Sequence, residues 1–89
     1  SVFSTVLVMD QAIGMQIVSG LKKVLTEGRI PESSNIYGPT EITKGQAKIV
    51  IHCDTKDALA LTNVVHELQR RRSIAKKELF TLRIEPYSL

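Results

Sequence analysis

The side chains best suited to acid–base, thiol or metal chemistry are few: His52, Cys53, His66 and a scatter of carboxylates. His52 and Cys53 are adjacent in a segment that alternates in polarity, so they point to opposite faces of a strand and do not readily share a metal ion. His66 has Glu67 beside it and no second ligand a helical turn away. Zinc sites and catalytic thiols need several ligands or a matched base at characteristic spacing, and neither is present. Gly14, Gly20 and Lys22 follow soon after a strand, yet a phosphate-cradling loop requires GxxxxGK and then Ser or Thr where the helix begins. Here Gly20 precedes Leu21 inside an apolar helical stripe, and both glycines are expected to let a helix lie close to a sheet. No catalytic residue, metal ligand or cofactor site is therefore assigned.

The remaining chemistry is cationic. Arg70, Arg71, Arg72, Lys76 and Lys77 gather five of the twelve lysines and arginines into eight positions. Cations in the last turn of a helix interact favourably with its dipole, by about 0.3–1 kcal/mol each, which is one reason for such a cluster. The other is contact with phosphates or with an acidic peptide. Three consecutive arginines fan around a helix, so they cannot all reach one partner. No aromatic residues interleave the cluster to stack bases, which argues against an autonomous single-strand binder.

The elements that must carry these residues follow from periodicity. Residues 2–9 are rich in Val, Phe, Thr and Leu and read as a buried strand. Asp10 offers a capping carboxylate, and Ile13, Ile17, Leu21 and Val24 then form one face of a helix over residues 11–27, with Gly28 closing it. Residues 29–35, with Pro31, Ser33 and Ser34, are a loop. A short strand at Ile36 and Tyr37 is expected to stop at Gly38-Pro39, and residues 40–45 to turn into a third strand. In that strand Ala47, Ile49, Ile51 and Cys53 face the core, while Lys48, Val50 and His52 face away. Asp54 or Thr55 is expected to cap a second helix over residues 55–72, whose inward stripe is Ala58, Leu61, Val65 and Leu68. Phe80, Leu82 and Ile84 alternate in a last strand that Pro86 terminates. The order βαββαβ folds most simply as a ferredoxin-like α+β two-layer sandwich, an antiparallel four-stranded sheet with both helices on one face.

Composition bounds the rest. The chain has 89 residues, enough for one domain spanning residues 1–89, and 43% of them are apolar, as in ordinary globular chains. The four aromatics are Phe3, Tyr37, Phe80 and Tyr87, so the core must be aliphatic. A net charge of +3 is a mild excess, compatible with nucleic acid or an acidic partner and low for a ribosomal-type RNA binder. Cys53 is the only cysteine, which precludes an intrachain disulfide and suggests a reducing, cytoplasmic compartment. The longest apolar run, Val6-Leu7-Val8-Met9, falls far short of the ~20 residues of a membrane helix, so no membrane partner is expected. The chain opens on a strand without an initiator Met, as expected of a fragment excised from a longer protein or equally of a processed terminus.

Ile36-Tyr37-Gly38-Pro39, the turn at Lys44-Gly45 and the strand Ala47 to Ile51 together resemble the C-terminal domain of the bacterial replication-restart protein family PriA (primosomal protein N′). That family has an apolar-Leu-Gly-Pro segment there, followed by a basic turn and a strand. The end of the chain, Leu82-Arg83-Ile84-Glu85-Pro86-Tyr87-Ser88-Leu89, is similar to the family's closing Val-Asp-Pro strand, with Glu85 in place of Asp. Arg72-Ser73 with Lys76-Lys77 is similar to the Arg-Ser-x-x-Lys stretch of divergent members. Gln46-Ala47-Lys48 replaces an aromatic-basic run that many members carry. The resemblance implies an accessory domain of a helicase that recognises abandoned replication forks and helps reassemble the primosome. It implies packing on the helicase core, weak binding of branched or single-stranded DNA, and docking of the acidic tail of single-stranded DNA-binding protein, with Lys56 near the tail-binding surface. ATP-binding motifs of such a parent lie in its helicase lobes. The alternative from another class is a small-molecule-sensing or oligomerisation domain, since ferredoxin-like modules often pair edge to edge.

Without a phosphate-cradling loop, the 89-residue chain is expected neither to bind nor to hydrolyse ATP. Isothermal calorimetry checks this, and a saturable ATP isotherm would contradict it.

Overall fold

A computed structural model describes residues 2–84. Strand β1 (Val2–Asp10) leads directly into helix α1 (Gln11–Thr26). The turn is sharp because Asp10 closes the strand and then caps the helix, its Oδ1 accepting from the Ala12 N–H at 2.8 Å. Helix α1 buries Gly14, Ile17, Val18 and Leu21 and ends in a Schellman motif, with Gly28 at φ 71° and the Arg29 N–H donating to the Val24 carbonyl.

Strand β2 (Asn35–Thr43) is longer than its composition suggests. The Gly38-Pro39 pair, expected to end it, is instead absorbed: the pairing with β3 (Gln46–Asp54) shifts register between Tyr37 and Thr40 and again between Glu41 and Thr43. This is tolerated because β2 is an edge strand, where a residue lacking an N–H need not break a ladder. The Gly38–Pro39 peptide is cis. Gly38 has φ 112°, and a Cβ there would lie 2.7 Å from the Lys48 carbonyl oxygen, so both conformation and space demand glycine.

A single 3-10 turn over Thr55–Asp57 precedes helix α2 (Ala58–Ile74). The Asp54 side chain makes no capping bond. Ser33, from the loop before β2, takes up that region instead: its hydroxyl accepts from the Asp54 N–H at 3.1 Å and donates to the Asp57 carboxylate at 2.8 Å. Strand β4 (Thr81–Ile84) then pairs with β1. The expected stop at Pro86 and the closing motif from Glu85 onward lie outside the described residues.

The sheet order is β2-β3-β1-β4, antiparallel throughout, and α1 and α2 cover the same face, giving the ferredoxin-like α+β sandwich. One aliphatic cluster joins Leu7 and Met9 of β1, Ile17, Val18 and Leu21 of α1, Ile49, Ile51 and Cys53 of β3, and Leu61 and Val65 of α2. Alternation in β3 is as its sequence dictates, with Ala47, Ile49, Ile51 and Cys53 all buried. Burial pushes the Cys53 thiol pKa up, assisted by the negative charges of Asp57 and Asp54. On the helix-free face Lys48 and His52 are half-buried, but Val50 is buried beside Val6 and Ser4. Phe80 is buried, Leu82 partly, while Ile84 is exposed. Among the described residues no helix is long and apolar enough to cross a membrane.

The steric constraint at Gly38 is directly measurable. Gly38→Ala is expected to destabilise the fold by about 1–3 kcal/mol, lowering the melting temperature by roughly 4–8 °C per kcal/mol. Thermal denaturation followed by circular dichroism checks this, and an unchanged melting temperature would contradict the packing against Lys48.

Candidate functional site

The cationic stretch occupies the last turns of α2 and the segment leading into β4. Helix geometry separates its members. Leu61, Val65 and Leu68 face the sheet, and Arg72, at the next position of the same stripe, follows them inward. Only 7% of Arg72 is exposed. Its Nε donates to the Glu78 carbonyl at 2.7 Å and its Nη1 to Gln16 Oε1 of α1 at 3.2 Å. Among the described residues no carboxylate pairs with it. Gln69 works alongside: its amide nitrogen donates to the Phe80 carbonyl, and its Oε1 accepts from the Phe80 N–H at 3.4 Å. Two side chains of α2 thus strap residues 78–80 against the helix.

Arg70 and Arg71 lie on the outer surface and share a carboxylate. Glu67 accepts from Arg70 Nε at 2.8 Å and Nη2 at 2.5 Å, and from Arg71 Nε at 3.2 Å. The spacings are i,i+3 and i,i+4, those at which helical side chains meet. The hydrogen bond from Arg70, followed by that from Arg71, holds the Glu67 carboxyl down to about 2, and Glu67 in turn raises the Arg70 pKa.

Lys76 and Lys77 complete the stretch, and both are exposed. Helix α2 closes with the same Schellman pattern as α1: the Lys77 N–H donates to the Arg72 carbonyl at 2.9 Å and the Lys76 N–H to the Ser73 carbonyl at 3.0 Å. The left-handed position that Gly28 fills in α1 is filled here by Lys76, at φ 56°. A side chain in that conformation costs about 1–2 kcal/mol relative to glycine.

The structure therefore brings Arg70, Arg71, Lys76 and Lys77 to the surface at one helix end and turns Arg72 into the packing. Lys56 is exposed in the 3-10 turn at the opposite end of α2, some 25 Å away at ~1.5 Å per helical residue, so it does not join the cluster. Five cations against the carboxylates of Glu67 and Glu78 leave residues 67–78 with a charge of +3, equal to that of the whole chain. The signals for Glu67 and Arg72 were present in the sequence, in a carboxylate three and four residues before two arginines and in the continuing 61, 65, 68, 72 stripe. Gln16 and Gln69, which hold the segment in place, carried none.

The other chemical candidates are dispersed. Cys53 is in the core, His52 stands edge-on to Tyr37 at 5.3 Å on the helix-free face, and His66 is exposed on α2. Among the described residues no three His, Cys, Asp or Glu side chains are grouped to hold a metal ion. Gly14 and Gly20 are both internal to α1, with no phosphate-cradling loop around them. No family model, curated protein or solved structure matches the chain.

The Glu67 pairing has a pH signature. Because its folded pKa lies below the ordinary value of 4.5, the ion pair contributes in full above about pH 4.5, and its contribution is lost as pH falls toward about 2. A carboxyl-carbon NMR titration should give Glu67 a midpoint near 2, with little global destabilisation because the pair is solvent-screened. A midpoint near 4.5 would mean that Arg70 and Arg71 are not bound to it.

Proposed function

We propose that the chain is a non-catalytic accessory module of a replication-restart helicase of the PriA kind, adding a weak electrostatic grip on forked or single-stranded DNA and helping to dock the acidic tail of single-stranded DNA-binding protein. In this reading it packs on the helicase core of its own polypeptide and carries no cofactor. The observation that carries the DNA contact is the distribution of charge: the net excess is concentrated at one end of α2, where Lys76 and Lys77 stand exposed beyond the Glu67 pairs. The lysine in a left-handed cap supports it, since a position that favours glycine is given to a charge. Arg70 and Arg71 add long-range attraction while tethered to Glu67, and Arg72 serves by holding the segment rather than by contact. Lys56 is a separate anchor for the acidic tail at the other end of the helix.

The shape of β2 weighs against the edge-to-edge pairing on which an oligomeric sensing domain would rely. Two register shifts and a proline without an N–H donor interrupt β2, one of the two edge strands, and such irregularities are how edge strands avoid association.

A patch of this size makes two or three phosphate contacts, each releasing counterions. The log–log salt dependence should then have a slope of roughly −2 to −3 on duplex DNA, at about −0.9 per contact, and be shallower on single strands, at about −0.7. Reversing Lys76→Glu with Lys77→Glu should weaken forked-DNA binding about tenfold or more in fluorescence anisotropy, with melting unchanged. Equal binding by parent and double variant would remove the patch from the DNA interface.

A further inference from the structure

Ser73 stands in the middle of the cationic stretch, yet neither packing nor the surface patch gives it a role. It is exposed in the last turn of α2, with Arg70 and Arg71 before it and Lys76 and Lys77 after it. Thr26 and Thr62, the threonines of the two helices, donate to the carbonyls four residues back at 2.9 and 2.8 Å. The Ser73 hydroxyl makes no such bond among the described residues. Ile74, next in sequence, is 69% exposed, so the core does not account for a large apolar residue there.

Two guanidinium groups three and two positions before a hydroxyl, with an apolar side chain directly after it, form the pattern an arginine-directed Ser/Thr kinase reads. Carboxylates of its cleft take the cations, and a hydrophobic pocket takes the following residue. We propose that Ser73 is a phosphorylation site for such a kinase and that its phosphate switches off the helix-end patch. Ser73 Oγ attacks the γ-phosphorus of MgATP, the bond from that phosphorus to the bridging oxygen breaks, ADP leaves, and the hydroxyl proton passes to the kinase's catalytic base.

A kinase holds its substrate extended, so residues 70–74 must unwind first. Helix ends are the parts of a fold that open most readily, and here Lys76, at φ 56°, strains the closing motif. Unwinding also removes the i,i+3 and i,i+4 spacing that keeps Arg70 and Arg71 on Glu67. Those pairs are solvent-screened, so both guanidinium groups are released together with the hydroxyl.

The phosphate brings about −1.5 to −2 charges into residues 67–78, whose net charge is +3, and leaves roughly +1. The negative end of the helix dipole opposes it with only about half a charge. Arg70, Arg71, Lys76 and Lys77, all at the surface within four positions, outweigh that and hold the phosphate among the groups proposed to meet DNA. The effect on DNA rests on the patch reading above, whereas modification of Ser73 does not.

The test incubates the 89-residue chain with MgATP and the catalytic subunit of cyclic-AMP-dependent protein kinase, a probe of arginine-directed specificity, and maps phosphate by mass spectrometry. The parent should take up phosphate at Ser73, and Ser73→Ala should lose that label. The Arg70→Ala, Arg71→Ala double variant should be labelled about tenfold more slowly, or less, because two charge-assisted contacts are gone. The phosphorylated chain should bind forked DNA about tenfold or more weakly in fluorescence anisotropy, with a log–log salt slope shallower by about one or two units. No phosphate on Ser73, or labelling as fast without Arg70 and Arg71, would overturn the assignment. So would parent-level DNA binding by the phosphorylated chain where Lys76→Glu with Lys77→Glu weakens it. If that lysine pair also left DNA binding unchanged, the patch reading would have failed on its own. The labelling of Ser73 and its need for Arg70 and Arg71 would then still decide the modification site.

Discussion

Helix α1 comes against β2 closely enough at Gly14 that its bare Cα faces the Pro39 ring, where a Cβ would lie 2.9 Å away. Much of the architecture follows from how close that approach is. Strand β2 lies at the edge, is largely exposed, and changes register twice along its pairing with β3, so its ladder alone specifies its position poorly. The helix above supplies the missing constraint. Behind Pro39, Gly38 lies against the Lys48 carbonyl, and the N–H of Gln11 at the start of α1 donates to the carbonyl of Gly45 in the hairpin turn at 2.9 Å. Helix, kink and hairpin thus locate one another. The glycine-proline pair is architectural, since both residues are occupied by packing.

That arrangement also explains which parts of the structure were legible from residues alone. The alternation of Ala47, Ile49, Ile51 and Cys53 and the stripe of Ile17, Leu21, Leu61 and Val65 encode burial directly, because the side chains that repeat are those that reach the core. Strand β2 outruns its sequence signal because its second half, Gly38 to Thr43, is polar or turn-forming apart from the exposed Ile42 and lies at an edge, where pairing follows from the neighbouring strand and from α1. The sequence around the entry to α2 points to a side-chain cap at Asp54 or Thr55. Asp54 makes no capping bond; the Ser33 hydroxyl, some twenty residues earlier, instead links the Asp54 N–H to the Asp57 carboxylate, and no local rule connects them.

The basic run was legible as a cluster but not as a division of labour. Successive residues of an α-helix turn by about 100°, so three adjacent arginines necessarily meet three environments. Arg72 meets the core side and two hydrogen-bond acceptors, and Arg70 and Arg71 meet Glu67. Past the cap, Lys76 and Lys77 are governed by the chain's change of direction rather than by helical phase. A charge count treats the five alike, whereas their availability to a partner differs with the geometry of each.

The straps from Gln69 to Phe80 and from Arg72 to Glu78 bear on how the molecule opens. Among the described residues strand β4 pairs with one neighbour, β1, over Thr81–Ile84. Its entry is anchored to the last turns of α2, and Arg72 extends the anchor to Gln16 of α1. Fraying of that helix end would release the strand, and detachment of the strand would free the helix end. The two belong to one cooperative opening unit, separate from the β1–β3 centre of the sheet, with matched amide exchange at the end of α2 and along β4 as its signature.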